Sequence, residues 1–289
     1  MNLNNHVIPF QLGNNIVRGS IVRLQTVVSE IIKRHKYPSN IESLFADTLS
    51  ITACLGSRMK HEGVFTIQAK GSGDVSTLFS DITSDGFLRG YVSLISGFSN
   101  TESNLKSLMG SGHISFTLDQ GKHTKRYQGI VSLEKPSMSK ITELYFNNSE
   151  QLETKFLNFN YFDIDKNKRK NLFSAGLIML QKMPVKNSFD EEDNEEIWQN
   201  SLNFLLTLGK EEFLSTNLTS EEILYRLFNE LEITVYDKII IQDQCRCSEE
   251  KIKFAIKNLS IKELKEIADE NGNLRVVCEF CKTERVFTS

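Results

Sequence analysis

The sequence predicts an α+β protein in three parts: an N-terminal mixed domain with an antiparallel sheet and helices (residues 1–183), a helical linker (184–234) and a small cysteine-rich C-terminal domain (235–289). Three observations carry this. Apolar and polar side chains alternate through much of residues 64–133, the period of half-buried strands. Beyond Met183-Pro184 the apolar spacing turns helical, with no clear strand until about Val235. Four of the five cysteines lie in the last 45 residues, in two close pairs.

At 289 residues the chain is long enough for a large core with a smaller appendage. It is 39% hydrophobic and 25% charged with a net charge of −3, so neither nucleic acid nor an anionic membrane is an expected partner. Residues 1–10 lack the basic flank and long apolar run of a signal peptide, and runs such as Leu177-Ile-Met-Leu180 are too short to span a bilayer. One odd thiol beside two close pairs suits a reducing cytoplasm better than a secreted disulfide framework.

Taken in order, residues 17–24 read as the first strand. Val27, Val28, Ile31 and Ile32 have helical spacing, and Tyr37-Pro38 stops that helix. A second helix is expected over 40–61, with Ile41, Leu44, Phe45, Leu49, Thr52 and Ala53 on its apolar face. Cys54 lies near that face, and a small buried residue is the simpler reading of it. Strands are expected near 65–70, 76–82, 87–92, 113–118 and 127–133, turned by glycine-containing loops. A short helix should start at Ser149. Strands near 156–164 and 171–181 flank the basic loop 165–170, read as a solvated hairpin tip because it lacks interleaved aromatics.

In the linker, Trp198, Leu202, Leu205 and Leu206 share a helical face. Thr219-Ser-Glu-Glu222 is a capping box ahead of the stripe Ile223, Leu224, Leu227, Phe228 and Leu231. Such stripes need cover, most simply from the first domain. In the last part Ile252, Ala255, Ile256 and Leu259 form one helical face. Ser260-Ile-Lys-Glu263 is a second capping box, with Leu264, Ile267 and Ala268 expected inside, and 274–277 is a short strand.

Cys245-Arg-Cys247 and Cys278-Glu-Phe-Cys281 are separated by 30 residues. Each pair can supply two thiolates from one tight segment. Cys245, Cys247, Cys278 and Cys281 together read as a closed four-thiolate zinc site, structural rather than hydrolytic. One Zn²⁺ per reduced chain follows, and the last part becomes a zinc-binding domain. The five histidines (His6, His35, His61, His113, His123) show no metal-ligand spacing. No nucleophile elbow, phosphate loop or dinucleotide fingerprint is present, so the sequence predicts no catalytic residues.

The run Cys245-Arg-Cys-Ser248 with Cys278-Glu-Phe-Cys281 resembles the zinc centre of the heat shock protein 33 family of bacterial redox-regulated chaperones. Arg18-Gly-Ser-Ile-Val-Arg-Leu24, Arg126-Tyr-Gln-Gly-Ile-Val131, Tyr145-Phe-Asn-Asn-Ser-Glu-Gln-Leu152 and Ala175-Gly-Leu-Ile-Met-Leu180 extend the resemblance over nearly the whole chain. Arg285 departs from it, standing where the family usually has an aromatic residue. The resemblance implies a cytoplasmic, ATP-independent holdase that is zinc-bound and inactive when reduced. On oxidation it implies disulfides Cys245–Cys247 and Cys278–Cys281, zinc release, a homodimer and capture of unfolding client proteins under oxidative stress. Two other classes use similar ligands. A zinc-ribbon nucleic-acid binder would need a basic footprint, and residues 245–289 hold nine Lys/Arg against eight Asp/Glu. A dithiol–disulfide oxidoreductase would place its C-x-x-C at a helix start, whereas here that pair follows a strand.

Overall fold

A computed structural model describes residues 5–99, 101–121, 124–163, 172–184, 191–270 and 272–288. The basic loop 165–170 and His123 lie outside the described residues. The chain divides into two compact units, Met1–Asp243 and Gln244–Ser289.

The first unit opens with strands β1 (Asn5–Leu12) and β2 (Val17–Leu24), then helices α1 (Thr26–His35) and α2 (Ser39–Gly56). Strands β3 (Val64–Gly71), β4 (Val75–Thr83) and β5 (Phe87–Leu94) follow. Then come helix α3 (Leu105–Met109), β6 (Gly112–Asp119), β7 (Tyr127–Ser132) and helix α4 (Met138–Tyr145), which runs into one π turn, Phe146–Glu150. Strands β8 (Thr154–Asp163) and β9 (Leu172–Lys182) complete the mixed α+β part. The linker supplies α5 (Glu191–Thr207), α6 (Lys210–Leu214) and α7 (Ser220–Phe228). Short strands β10 (Ile233–Val235), β11 (Ile239–Ile240) and β12 (Gln242–Asp243) end the unit.

Two six-stranded sheets result. One runs β10-β1-β2-β9-β8, with β11 also pairing β1; the other runs β12-β5-β4-β3-β6-β7. Helices α1 and α2 lie between the sheets, in a core that takes Val7, Val22, Leu177 and Met179 from the first sheet. The opposite face of that sheet offers Ile8, Ile21, Ile178 and Leu180 to α5, α6 and α7. The sequence therefore anticipated one half-buried sheet where there are two. Because the first sheet is covered on both faces, β2 is buried almost continuously although Arg18, Gly19, Ser20 and Arg23 interrupt its apolar residues, and β9 carries the unbroken apolar run Leu177-Ile-Met-Leu180.

Several expected boundaries move. Strand β1 precedes the strand read as first, and α2 stops at Gly56, where the Ser57 amide bonds back to the Ala53 carbonyl. The helix expected to start at Ser149 instead begins at α4, capped by Ser137. Ser149 sits in the closing π turn, and Gln151 ends it in the left-handed conformation. Leu206 is 63% exposed. Eight residues past Trp198 it has rotated about 80° off that side chain, while Leu205 lies only about 20° away.

The second unit holds α8 (Glu249–Lys257), α9 (Ile261–Ile267) and the hairpin β13 (Asn273–Val277) with β14 (Glu284–Thr288). Among its described residues, Leu274 is the one buried apolar side chain. The expected inner faces are only partly realised. Ala255 and Leu259 are exposed, and Ile267 is 53% exposed, because these short helices have one small hairpin to lie on.

Candidate metal centre

Both cysteine pairs adjoin locally hydrogen-bonded backbone. Cys245 and Cys247 lie in the extended segment before α8, whose N-cap Ser248 accepts a hydrogen bond from the Lys251 amide. Cys278 and Cys281 flank a tight turn at the tip of the β13–β14 hairpin. The Lys282 amide donates to the Cys278 carbonyl at 2.8 Å, and the Cys278 amide donates to the Thr283 carbonyl at 3.0 Å. Lys282 takes φ 54°, the left-handed conformation that lets the chain reverse.

The fold brings all four predicted thiols together. Their Sγ atoms lie within 4.8 Å of one another, with Cys245–Cys278 at 3.7 Å and Cys247–Cys281 at 3.5 Å. Tetrahedral zinc with Zn–S bonds of about 2.3 Å requires S···S edges of about 3.8 Å. The donor set is all sulfur and each side chain is half-buried, so the residues fit a soft divalent cation. All five cysteines are free thiols in this arrangement.

The thiols ionise unequally. Burial, with neighbouring cysteines adding to it, pushes Cys245 up to about 12. Burial also opposes ionisation of Cys281, but hydrogen bonds from Thr283 and the adjacent thiols outweigh it and bring Cys281 down to about 6. Thr283 Oγ1 lies 3.2 Å from Cys281 Sγ. The Arg285 guanidinium donates to Cys247 Sγ at 3.5 Å. Thr283 and Arg285 are neighbours that ligand spacing alone does not point to, although Arg285 stood out as a departure from the resembled pattern.

Cys54 lies outside the cluster. It is fully buried on α2 near Met179, and burial pushes its thiol up to about 12.

The linker is seated as its stripes require. Trp198, Leu205, Ile223, Leu224, Leu227 and Phe228 are buried against the outer face of the first sheet. Two glycines make seats for two phenylalanines. A Cβ on Gly19 would lie 2.1 Å from the Phe10 ring, which stacks on Phe228 at 5.6 Å. A Cβ on Gly176 would lie 3.0 Å from the Phe213 ring, which stacks on Phe159 at 4.4 Å. Polar groups add to this. Arg23 donates to the carbonyls of Leu218 and Ser215 at 2.6 and 2.5 Å, and His6 Nε2 lies 2.8 Å from Ser220 Oγ. The capping box forms as expected, Glu222 N to Thr219 Oγ1 at 3.1 Å and Thr219 N to Glu222 Oε2 at 2.8 Å.

Fold and site define the class: an α+β body carrying a docked amphipathic strap, followed by a small unit built around four thiols that can hold a metal ion. Residues 5–288 match the Hsp33 protein family, and the chain belongs to it. It is 32% identical over 288 residues to the 33 kDa chaperonin of Caulobacter vibrioides, covering 96% of this chain and 93% of that one. It is 30% identical over 276 residues to the 33 kDa chaperonin of Escherichia coli, covering 96% and 89%. The crystal structure of the 33 kDa chaperonin (heat shock protein 33 homolog) of Thermotoga maritima superposes with a TM-score of 0.82. It is 24% identical, covers 98% and 95% of the two chains, and supports the fold. The protein is thus a chaperone-family member and not an enzyme. No helix among the described residues is long and apolar enough to cross a membrane.

Proposed function

We propose that the protein is a redox-regulated, ATP-independent holdase of the bacterial cytoplasm, in which residues 235–289 are the switch, 184–234 the strap and 1–183 the body. In the reduced state Cys245, Cys247, Cys278 and Cys281 hold one Zn²⁺ as thiolates. The metal supplies a tetrahedral crosslink. The observation that carries the reading is a four-thiol cluster in a unit with one buried apolar side chain among its described residues. A unit so poor in core needs a staple. Structural zinc contributes roughly 10–16 kcal/mol in small sites, against about 5–15 kcal/mol for the whole stability of an ordinary domain.

Oxidation to Cys245–Cys247 and Cys278–Cys281, the pairing that family resemblance implies, consumes the ligands and frees the metal. Each disulfide closes a very short loop and so constrains the unfolded segment little. The switch then unfolds. The chain leading into the cysteine-bearing unit, β10 to β12, runs along the edges of both sheets, so unfolding of that unit leaves these short pairings to hold alone. Release of the strap uncovers the face around Phe10, Ile21, Ile178 and Leu180, together with Leu202, Leu205, Leu227 and Phe228. Apolar patches of several hundred Å² bind other proteins, and unfolding clients are the partner class that fits. A homodimer of the oxidised chain belongs to the same reading.

The test is light scattering from a heat-denatured client in the presence of reduced, oxidised and re-reduced protein, with zinc content measured in each. Suppression by the oxidised form alone is the expected result. Equal suppression in all three states would remove the switch, and none in any state would remove the holdase.

A further inference from the structure

A cleft of about 300 Å³ opens between the end of α2, strands β3, β6 and β7, and the π turn. It belongs neither to the strap nor to the switch, so the holdase reading leaves its residues without a task. Leu55, Met59, Phe65, Phe116 and Phe146 make its walls apolar and partly aromatic. Its polar groups are sorted to different partners. The hydroxyls of Tyr127 and Tyr145 both donate to Glu150 Oε1, at 2.5 and 2.7 Å, which satisfies that carboxylate from within the protein.

The arginines of the cleft are not satisfied in the same way. Arg58 is half-buried. Its Nη2 donates to the neutral amide of Gln181 at 3.3 Å, and its Nη1 meets the Met179 thioether at 3.6 Å. Arg18 also lines the cleft, and its charge repels that of Arg58. Among the described residues neither guanidinium has a carboxylate within 4.0 Å. Burial brings Arg58 down to about 10, so it stays charged at neutral pH without an anionic partner. Two unneutralised guanidiniums beside an apolar recess make a site of defined chemistry, because a planar carboxylate can take two parallel N–H bonds from one arginine. A recess of this size with a mainly apolar lining is of the kind that takes small molecules.

We propose that this cleft binds a small amphipathic carboxylate, its anionic head on Arg58 and Arg18 and its aromatic body against Leu55, Phe65 and Phe116. The probe is 3-phenylpropionate, titrated into the full-length, reduced, zinc-loaded protein while the Met59 methyl resonance is followed. The expected result is a saturable shift, with 3-phenylpropan-1-ol binding about tenfold or more weakly, a difference of about 1.4 kcal/mol. Arg58→Gln should weaken the acid by a similar factor and leave the alcohol unchanged, and Arg18→Gln should weaken it less. Circular dichroism checks that Arg58→Gln folds; if it does not, the exposed Arg18→Gln and the acid–alcohol comparison still decide. Absence of saturation at the solubility limit, equal affinity of acid and alcohol, or unchanged acid binding in both variants would overturn the assignment.

Discussion

If strap release rather than zinc release is the step that exposes the client surface, the two can be uncoupled by loosening the strap in the zinc-bound protein. Phe228 is the side chain to remove. It is fully buried near the end of α7 and stacks on Phe10, which lies over Gly19. Phe→Ala at a fully buried site costs about 3–5 kcal/mol, from lost transfer energy plus the cavity left behind. Because Phe228 is buried only while α7 is docked, most of that loss falls on the docked state and little on the released one. At about 1.4 kcal/mol per factor of ten, the docked-to-released ratio falls by roughly two to three and a half powers of ten. Reduced Phe228→Ala should therefore keep one zinc per chain, lose hydrogen-exchange protection across 220–231, and suppress client aggregation without oxidant. Trp198 is buried in the same cluster, so its fluorescence reports undocking independently. Phe228→Leu, a milder truncation, should fall between. A reduced Phe228→Ala that loses protection across 220–231 yet remains inactive would refute strap release as the activating step.

Four other outcomes are expected. Removing zinc from the reduced chain with a chelator should collapse the amide dispersion of residues 244–289 and spare 5–183; a dispersed metal-free spectrum for 244–289 would contradict the staple. Cys54→Ser should leave peroxide-driven zinc release unchanged, since the buried thiol at about 12 supplies almost no thiolate; slower release would give Cys54 a redox role. Asp47 is raised from 3.8 to about 6 by burial, against a hydrogen bond from Asn160 that lowers it. The folded state thus binds the extra proton. Its contribution is full below pH 3.8 and is lost as pH rises through about 6, which leaves an ionised cost of about 3 kcal/mol at neutral pH. Asp47→Asn should raise the urea midpoint at pH 7.5 more than at pH 5, and an equal change at both would show that Asp47 does not titrate there. Arg285→Phe removes the donor to Cys247 Sγ; a thiolate relieved of a hydrogen bond is more nucleophilic, so zinc release by peroxide should be severalfold faster, and an unchanged rate would make Arg285 a bystander.

Much of this was legible in the sequence for physical reasons. The two cysteine pairs announced the cluster because soft tetrahedral chemistry requires four such side chains in one place. The capping boxes at Thr219 and Ser260 were readable because reciprocal capping is local in sequence, and both form. The first sheet was less legible. Strand β1 meets both cores, with Val7 on one face and Ile8, Phe10 and Leu12 on the other, and Pro9 within it reads against a strand. Yet β1 pairs with β2 over eight residues, while β11 and β12 are two-residue strands that exist only because a sheet edge is nearby. Gly19 and Gly176 could be read as glycines but not as seats. That role depends on which ring arrives over each glycine, Phe10 from β1 over Gly19 and Phe213 from α6 over Gly176.

The contrast between the two units explains why a switch of this kind can work at all. In the first unit the sheet facing the strap is buried on both sides, so its stability does not depend on the strap alone: Val22, Leu177 and Met179 remain packed on α1 and α2 whatever happens to α7. In the second unit apolar side chains such as Phe254, 71% exposed, stay in solvent even when folded, and among the described residues Leu274 alone is buried in an apolar role. One unit therefore keeps its fold through hydrophobic burial, which oxidants do not touch. The other depends on four sulfur atoms, the groups in the chain that peroxide attacks most readily once they are thiolates. On the proposed function an oxidant accordingly unfolds the small unit selectively and leaves a folded sheet with an apolar face to present.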